Sequence, residues 1–452
     1  MPQHRIAVIC FLPDTGHVLP LLRLARLLFS HDSYCITCFL PSKFEDVVRE
    51  YGFEYYCLKY VDIKSDVRIF YELSKKSIFY NAFSNYYDLS DYYWTPIGGA
   101  VSYELGGLIK SLSIYEPQYL LCDSHVFIDS YKRLAWSSGS TLIINRSEGS
   151  LRSFQRLFVQ TYGLSEKKYW VPLLIETAGL IARKAFRFWR AIGHSKRRQL
   201  TKAMQLDAKR RADLAFKDCN TTETDSFYVT AGLAALEPNF SMLGQELAIR
   251  RELVFPPTIQ TAGIDLPNDL EEWLDKQNPG QVVYVCLGTM IALPEKFLGE
   301  LVLGLIKAQV SVIWSIPRAQ IGLMDKYHLT DNFRIEEFVP QTAILASRKV
   351  GCFITHGGAG SAQESVAAGK PVLCIPFMWD QPYNCSVLVG LGVGRTLSKR
   401  NLTWMKISKE IRELLDNPIY TETARHWAGK ICELQNSNRQ SELIRQIRSR
   451  QY

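Results

Sequence analysis

Short apolar runs alternate with amphipathic stretches in both halves of the chain. Residues 4–12 (HRIAVICFL) are continuously apolar after the first two positions, the pattern of a buried strand. A short turn, Pro13-Asp14-Thr15-Gly16-His17, follows. Leu21, Leu24, Ala25 and Leu28 then recur at i, i+3, i+4 and i+7, which marks one face of a helix. The next strand is YCITCFL at 34–40. Strand, helix and strand in close succession predict a βαβ unit, hence a parallel sheet with right-handed crossovers. YLLC, ending in Asp123, and TLIIN (141–145) continue the series.

The second half restarts the alternation. Strands are predicted at 282–287 (VVYVCL), 310–316 (VSVIWSI), 334–339 (RIEEFV), 350–355 (VGCFIT) and 371–375 (PVLCI), with helices over 294–309 and 361–368. The expected architecture is α/β, two Rossmann-like doubly wound domains. The first covers 1–238 and the second 269–432. Between them 239–268, with Pro256, Pro257 and Pro267 after Pro238, reads as the interdomain connector, and 433–452 as a polar C-terminal helix. Ligands of such sheets sit at the C-terminal ends of strands, and two domains facing each other make a central cleft.

One segment breaks the rhythm. Residues 151–217 are helical in pattern and basic, with Trp170, Phe186, Phe188 and Trp189 interleaved among the cations. The plainer reading is an amphipathic insertion with a solvated charged face. The sharper one is a peripheral contact with an anionic membrane or an anionic acceptor through 183–211.

Composition narrows the classes. At 452 residues with 47% hydrophobic and 22% charged positions, the chain can bury large cores, and disorder or a disulfide scaffold is excluded. The net charge of +8 suits a phosphate-bearing ligand without calling for nucleic acid. The N-terminal apolar run is too short for a signal peptide, and no apolar stretch of membrane-spanning length occurs. Eleven scattered cysteines read as reduced thiols, and a cytoplasmic location is expected. Cys35 and Cys38 form a C-x-x-C, but inside a strand residues three apart face opposite sides, which disfavours a metal or redox role.

Thr355-His356-Gly357-Gly358-Ala359-Gly360-Ser361 follows a strand and opens a helix. Glycines let a backbone approach an anion closely, and helix N-terminal N–H groups favour phosphate. His356 can donate a further hydrogen bond. The loop is neither a dinucleotide fingerprint nor a Walker A motif. Ser361-x-x-Glu364 fits a capping box equally well as a ribose-binding carboxylate one turn into the helix.

Across 338–384 the chain reads FVPQTAILASRKVGCFITHGGAGSAQESVAAGKPVLCIPFMWDQPYN. Pro340-Gln341, Ile344-Leu345, Thr355-His356-x-Gly358, Ser361, Glu364-Ser365, Gly369, Pro371, Pro376, Asp380-Gln381 and Asn384 together closely resemble the donor-binding signature of the GT1 (UGT-like) family of nucleotide-sugar-dependent glycosyltransferases. The resemblance extends more weakly over the whole chain. It implies a GT-B fold, with the acceptor held by the N-terminal half and the donor mainly by the C-terminal half. By the same resemblance Phe338 would stack on the nucleobase and Gln341 would bond the base or ribose. His356, Gly358, the amides at Gly360 and Ser361, and Thr289 would hold the diphosphate. Glu364 would take the ribose hydroxyls, Asp380 and Gln381 the sugar hydroxyls, and Trp379 would complete the donor site. The plant-type signature has Trp where this chain has Phe338 and Asn where it has Gly360, variations that look like bacterial members.

A histidine after the first strand and an aspartate ending a later one carry little weight alone. In the family's G-H context, however, His17 corresponds to the general base and Asp123 to the carboxylate that orients it. A hydroxyl is a poor nucleophile until a neutral imidazole takes its proton, and a carboxylate on the other ring nitrogen fixes the tautomer. The chain has no Asp-x-Asp, so neither a metal nor another cofactor is implied beyond the nucleotide sugar itself. The expected function is inverting transfer of a hexose, UDP-glucose being the favoured donor, to a hydroxyl of a small hydrophobic or aromatic acceptor. The aromatics between 51 and 103, among them Tyr55, Tyr56, Tyr71 and Trp94, favour a planar one. Alternatives are a dTDP-deoxysugar donor, a GT-B enzyme of another reaction such as an epimerase, and a non-catalytic nucleotide-sugar-binding protein.

Overall fold

The structure, a computed structural model, describes residues 4–11, 15–29, 34–59, 95–123, 128–145, 226–231, 252–255, 265–288, 293–377, 381–435 and 445. The basic segment 183–211 and residues 60–94 of the aromatic stretch 51–103 lie outside the described residues. The chain divides into two compact units, the first drawn mainly from residues before 231 and the second mainly from residues after 252.

The first unit is built on β1 (His4–Ile9), α1 (Thr15–Phe29), β2 (Tyr34–Leu40), α2 (Glu45–Glu50), β3 (Glu54–Cys57), α3 (Thr95–Tyr115), β4 (Tyr119–Asp123), α4 (Ile128–Ser138), β5 (Thr141–Asn145) and β6 (Ser226–Ala231). With β7 (Glu252–Phe255) these strands form one sheet in the order β3-β2-β1-β4-β5-β6-β7. The ladders from β3 to β6 are parallel. Part of the expected connector 239–268 is therefore a strand: β7 hydrogen-bonds at the edge of this sheet. The four periodic positions Leu21, Leu24, Ala25 and Leu28 are all buried in α1, as the spacing predicts. That helix begins at Thr15, so Thr15, Gly16 and His17 of the expected turn 13–17 are helical and His17 lies in the first helical turn.

The second unit comprises α5 (Asn268–Asp275), β8 (Val282–Cys286), α6 (Glu295–Ala308), β9 (Ser311–Ser315), α7 (Arg318–Ile321), β10 (Phe333–Glu336), α8 (Gln341–Ala346), β11 (Val350–Thr355), α9 (Ala359–Ala367), β12 (Val372–Cys374), α10 (Gln381–Gly390), β13 (Gly394–Thr396), α11 (Trp404–Asp416) and α12 (Pro418–Gln435). Its sheet runs β10-β9-β8-β11-β12-β13, parallel at every step. Helix α12 runs from Pro418 to Gln435, and the rest of the expected C-terminal helix 433–452, apart from residue 445, lies outside the described residues.

Both faces of this second sheet are covered, which is why its strands read as continuous apolar runs rather than alternating ones. Successive residues of β8 serve opposite cores. Val283 and Val285 pack with Leu301, Leu305, Trp314 and Ile407, while Val282 and Tyr284 pack with Ile313, Phe353, Val366 and Leu388. Ile354 of β11 is fully buried, one residue before the Thr355 that begins the glycine loop. Ile354→Ala should cost about 2–5 kcal/mol of stability, the usual penalty for truncating a buried aliphatic side chain. Denaturant unfolding of the full chain measures it, and a loss below 1 kcal/mol would show that this core relaxes around the cavity.

Candidate active site

In each sheet the strand order reverses between two parallel neighbours, β1/β4 in the first and β8/β11 in the second. Chains leave such neighbours toward opposite sides, which opens a crevice at their C-terminal ends. The sequence-predicted residues that fall among the described ones gather at these two points or on the elements flanking them.

At the first, α1 starts a few residues beyond β1 and carries His17, while Asp123 is the last residue of β4. His17 Nδ1 lies 3.4 Å from Asp123 Oδ2, within ion-pairing distance but not hydrogen-bonded to it; the imidazole side chain is 20% exposed and the carboxylate 4%. The second carboxylate oxygen is held by a residue that the sequence does not single out. Tyr131 of α4 donates its hydroxyl to Asp123 Oδ1 at 2.8 Å. The same hydroxyl accepts from Phe11 N–H at 2.9 Å, and the two rings stack at 4.8 Å with an interplanar angle of 9°. Burial and the neighbouring Asp123 charge push the Tyr131 phenol well above its ordinary pKa, so it remains a donor.

At the second, Thr355 ends β11 and the loop 356–358 leads into α9. Three side chains shape this loop. Gly357 N–H donates to Thr355 Oγ1 at 3.2 Å, Asn384 Nδ2 donates to Gly357 C=O at 2.8 Å, and Cys385 Sγ reaches His356 C=O at 3.7 Å. The N-cap of α9 is Gly358, with no side-chain cap, so Ser361 and Glu364 are interior helical residues and the capping-box alternative is not what forms. The first helical bond runs from Ala362 N–H to Gly358 C=O. The N–H groups of Ala359, Gly360 and Ser361 precede it and carry the helix's positive end.

The His356 imidazole occupies a slot that only glycines leave open. A Cβ on Gly288, which follows β8, would come within 2.9 Å of its Nε2, and one on Gly358 within 2.6 Å. The ring hydrogen-bonds the Cys286 carbonyl, while Nδ1 is buried without a hydrogen-bond partner. Desolvation lowers the His356 pKa to about 4, so the ring is neutral at pH 7.

Gln341, Ser361 and Glu364 converge. Gln341 Nε2 donates to Glu364 Oε2 at 2.6 Å and lies 3.1 Å from Ser361 Oγ. Its Oε1 accepts from Tyr284 O–H at 3.2 Å. Tyr284 stacks on Phe353 at 4.9 Å and 11°, so the network stands on the core of the sheet. Phe338, beyond β10, is 80% exposed. Gln381 opens α10 and is buried, its Oε1 accepting from Phe377 N–H at 2.9 Å. That oxygen is therefore engaged within the loop it was expected to reach out from. Thr289, Trp379 and Asp380 lie outside the described residues.

Residues 252–428 match the sequence profile of the family described as UDP-glucoronosyl and UDP-glucosyl transferase. Through that segment, the chain is similar to the UDP-glycosyltransferase family. Among curated relatives, the cyanidin-3-O-glucoside 2-O-glucuronosyltransferase of Bellis perennis is 27% identical over 237 residues, covering 50% of this chain and 53% of the relative. UDP-glycosyltransferase 83A1 of Arabidopsis thaliana is 33% identical over 170 residues, 36% of each chain. The chain thus spans about half the length, or less, of the curated relatives it matches. The crystal structure of Os79 from O. sativa in complex with UDP superposes with a TM-score of 0.70 at 19% identity, covering 98% of this chain and 99% of the other. The two parallel sheets are those of the GT-B fold of these UDP-glycosyltransferases. The matched segment holds every described donor-loop residue, whereas His17, Asp123 and Tyr131 fall before it. No described helix is long and apolar enough to cross a membrane, and the described residues hold no cluster of three or more His, Cys, Asp or Glu suited to a metal ion.

The neutral His356 makes a pH prediction. In the unfolded chain its pKa is near 6.5, above the folded value of about 4. Below pH 6.5 the unfolded state binds the proton first, so stability falls as pH drops from 6.5 toward 4. The contribution is about 1–3 kcal/mol, allowing for solvent screening of a partly exposed ring. His356→Gln should flatten this part of the pH dependence of thermal unfolding; an unchanged profile would mean that another group is responsible.

Proposed function

We propose that the protein is an inverting glycosyltransferase that moves a hexose from a UDP-sugar to a hydroxyl of a small, hydrophobic or aromatic acceptor. The observation that carries this reading is the loop 355–361 entering α9 inside the segment that matches the family, beside the Gln341–Ser361–Glu364 network. The chemistry follows from the residues. The free N–H groups at the start of α9 and the Ser361 hydroxyl suit the diphosphate oxygens. Protonation of Nδ1 gives His356 a second N–H as negative charge arrives. Glu364, already fixed by Gln341, offers acceptor oxygens to ribose hydroxyls, and the exposed Phe338 offers a π face to the base. Thr289 and Trp379 complete the donor set.

The acceptor step falls to His17. A neutral imidazole whose Nδ1 faces Asp123 presents Nε2 to the hydroxyl, takes its proton as attack on the anomeric carbon develops, and becomes an imidazolium that the carboxylate stabilises. The departing nucleoside diphosphate is stabilised by the amides of α9 and by His356. No step requires a metal or other cofactor. The related structure of Phytolacca americana UGT2, complexed with UDP-2fluoro-glucose and pterostilbene, supports a nucleotide sugar paired with an aromatic acceptor. We further propose a cytoplasmic location.

Incubation with a panel of nucleotide sugars and a hydrophobic extract, with mass-shifted products read by mass spectrometry, tests the function. His17→Ala should lower O-glycosylation by roughly 10²–10⁴-fold while UDP affinity, read by calorimetry, stays near that of the parent. Full turnover in that variant would remove His17 from the mechanism. For the donor, the Asp380-Gln381 pair favours a fully hydroxylated hexose, because a site built for hydroxyls rejects a sugar lacking them. UDP-glucose should therefore outcompete dTDP-glucose and a dTDP-deoxysugar at equal concentration, and preferred turnover of the deoxysugar would overturn the assignment.

A further inference from the structure

We propose that Tyr131 is a positioning residue for the His17–Asp123 pair: anchored by Phe11 N–H, its hydroxyl pins Asp123 Oδ1, turns Oδ2 to His17 Nδ1, and so sets how strongly the imidazole holds a proton. The inference rests on the reading of His17 as the general base, and it deepens that reading.

The geometry leaves the hydroxyl one arrangement. Phe11 N–H can only donate, so it occupies a lone pair of the Tyr131 oxygen and directs the O–H proton to Asp123. Tyr131 is fully buried, and its ring is fixed by the stack on Phe11. Its neighbours on α4, Leu134 and Ala135, are fully buried as well, so the ring sits on a helix locked to the core. Phe11 lies just beyond β1, Asp123 ends β4, and α4 follows β4, so one hydroxyl ties together three segments meeting at the switch point. Among the described residues, His17, Tyr131 and Cys122 interact with the carboxylate and Cys10 with Tyr131, and burial holds both Tyr131 and Cys122 in their protonated forms. The O–H of Tyr131 donates to Asp123 Oδ1 and draws charge from the carboxylate that faces His17. A carboxylate that shares its charge with such a donor attracts an imidazolium less.

The test reads the His17 pKa itself by NMR titration of the ¹⁵N-histidine-labelled full chain, assigned with His17→Gln, and needs no acceptor. Tyr131→Phe keeps the ring and its stack and removes only the hydroxyl. It should raise the His17 pKa by about half a pH unit or more. In an Asp123→Asn background the same change should leave His17 unmoved, because Tyr131 acts through the carboxylate. Site-specific replacement of Tyr131 by 3-fluorotyrosine, a stronger donor of nearly the same size, should shift His17 the opposite way and covers the case in which Tyr131→Phe does not fold. An unchanged or lowered pKa in Tyr131→Phe overturns the proposal, as does an equal shift in the Asp123→Asn background. With fluorotyrosine alone available, an unchanged or raised pKa overturns it. Failure of the base reading looks different: His17→Ala then retains transferase turnover whatever the titrations show.

Discussion

The reversal of strand order between neighbouring parallel strands is the constraint on which the rest depends. A parallel sheet sends every chain out at the same edge, and the chain must cross to one face or the other before returning. At β1/β4 and β8/β11 the two crossovers part, so neither fills the gap above the strands. Side chains placed in that gap are held by rigid strands below and helix N-termini beside them. His17 and Asp123 flank the first gap, and His356 lines the second beside Gly288.

What keeps these groups in place is the core beneath them. Tyr131 and Tyr284 are both stacked on buried phenylalanines, and each turns its hydroxyl to a functional side chain, Asp123 and Gln341 respectively. A buried donor or acceptor that loses its partner costs more than the bond contributes when made. Each network therefore resists partial disassembly, and carboxylates such as Asp123 and Glu364 stay in one rotamer. The glycine slot around His356 works by exclusion instead: two missing Cβ atoms admit the ring, and the water that leaves with its burial lowers its proton affinity.

The alternation of apolar runs determined the doubly wound class, most strand positions and the buried face of α1, because strands covered on both faces need little more than continuous apolar character. The sequence also located the glycine loop, since glycines before a helix stand out against apolar runs, whereas the His17 and Asp123 pair was singled out only by the family resemblance. It did not show β7, which lacks a long apolar run, nor that α9 starts at Ala359 and leaves Ser361 and Glu364 inside the helix. It gave no sign of Tyr131 or Tyr284. At helical or strand spacing their rings read as ordinary core, and a hydroxyl's partner is set by residues distant in sequence, 120 positions away in the case of Phe11 and Tyr131. Composition and periodicity fix which surfaces are apolar. Which buried oxygen meets which proton is decided only when the strands are laid side by side.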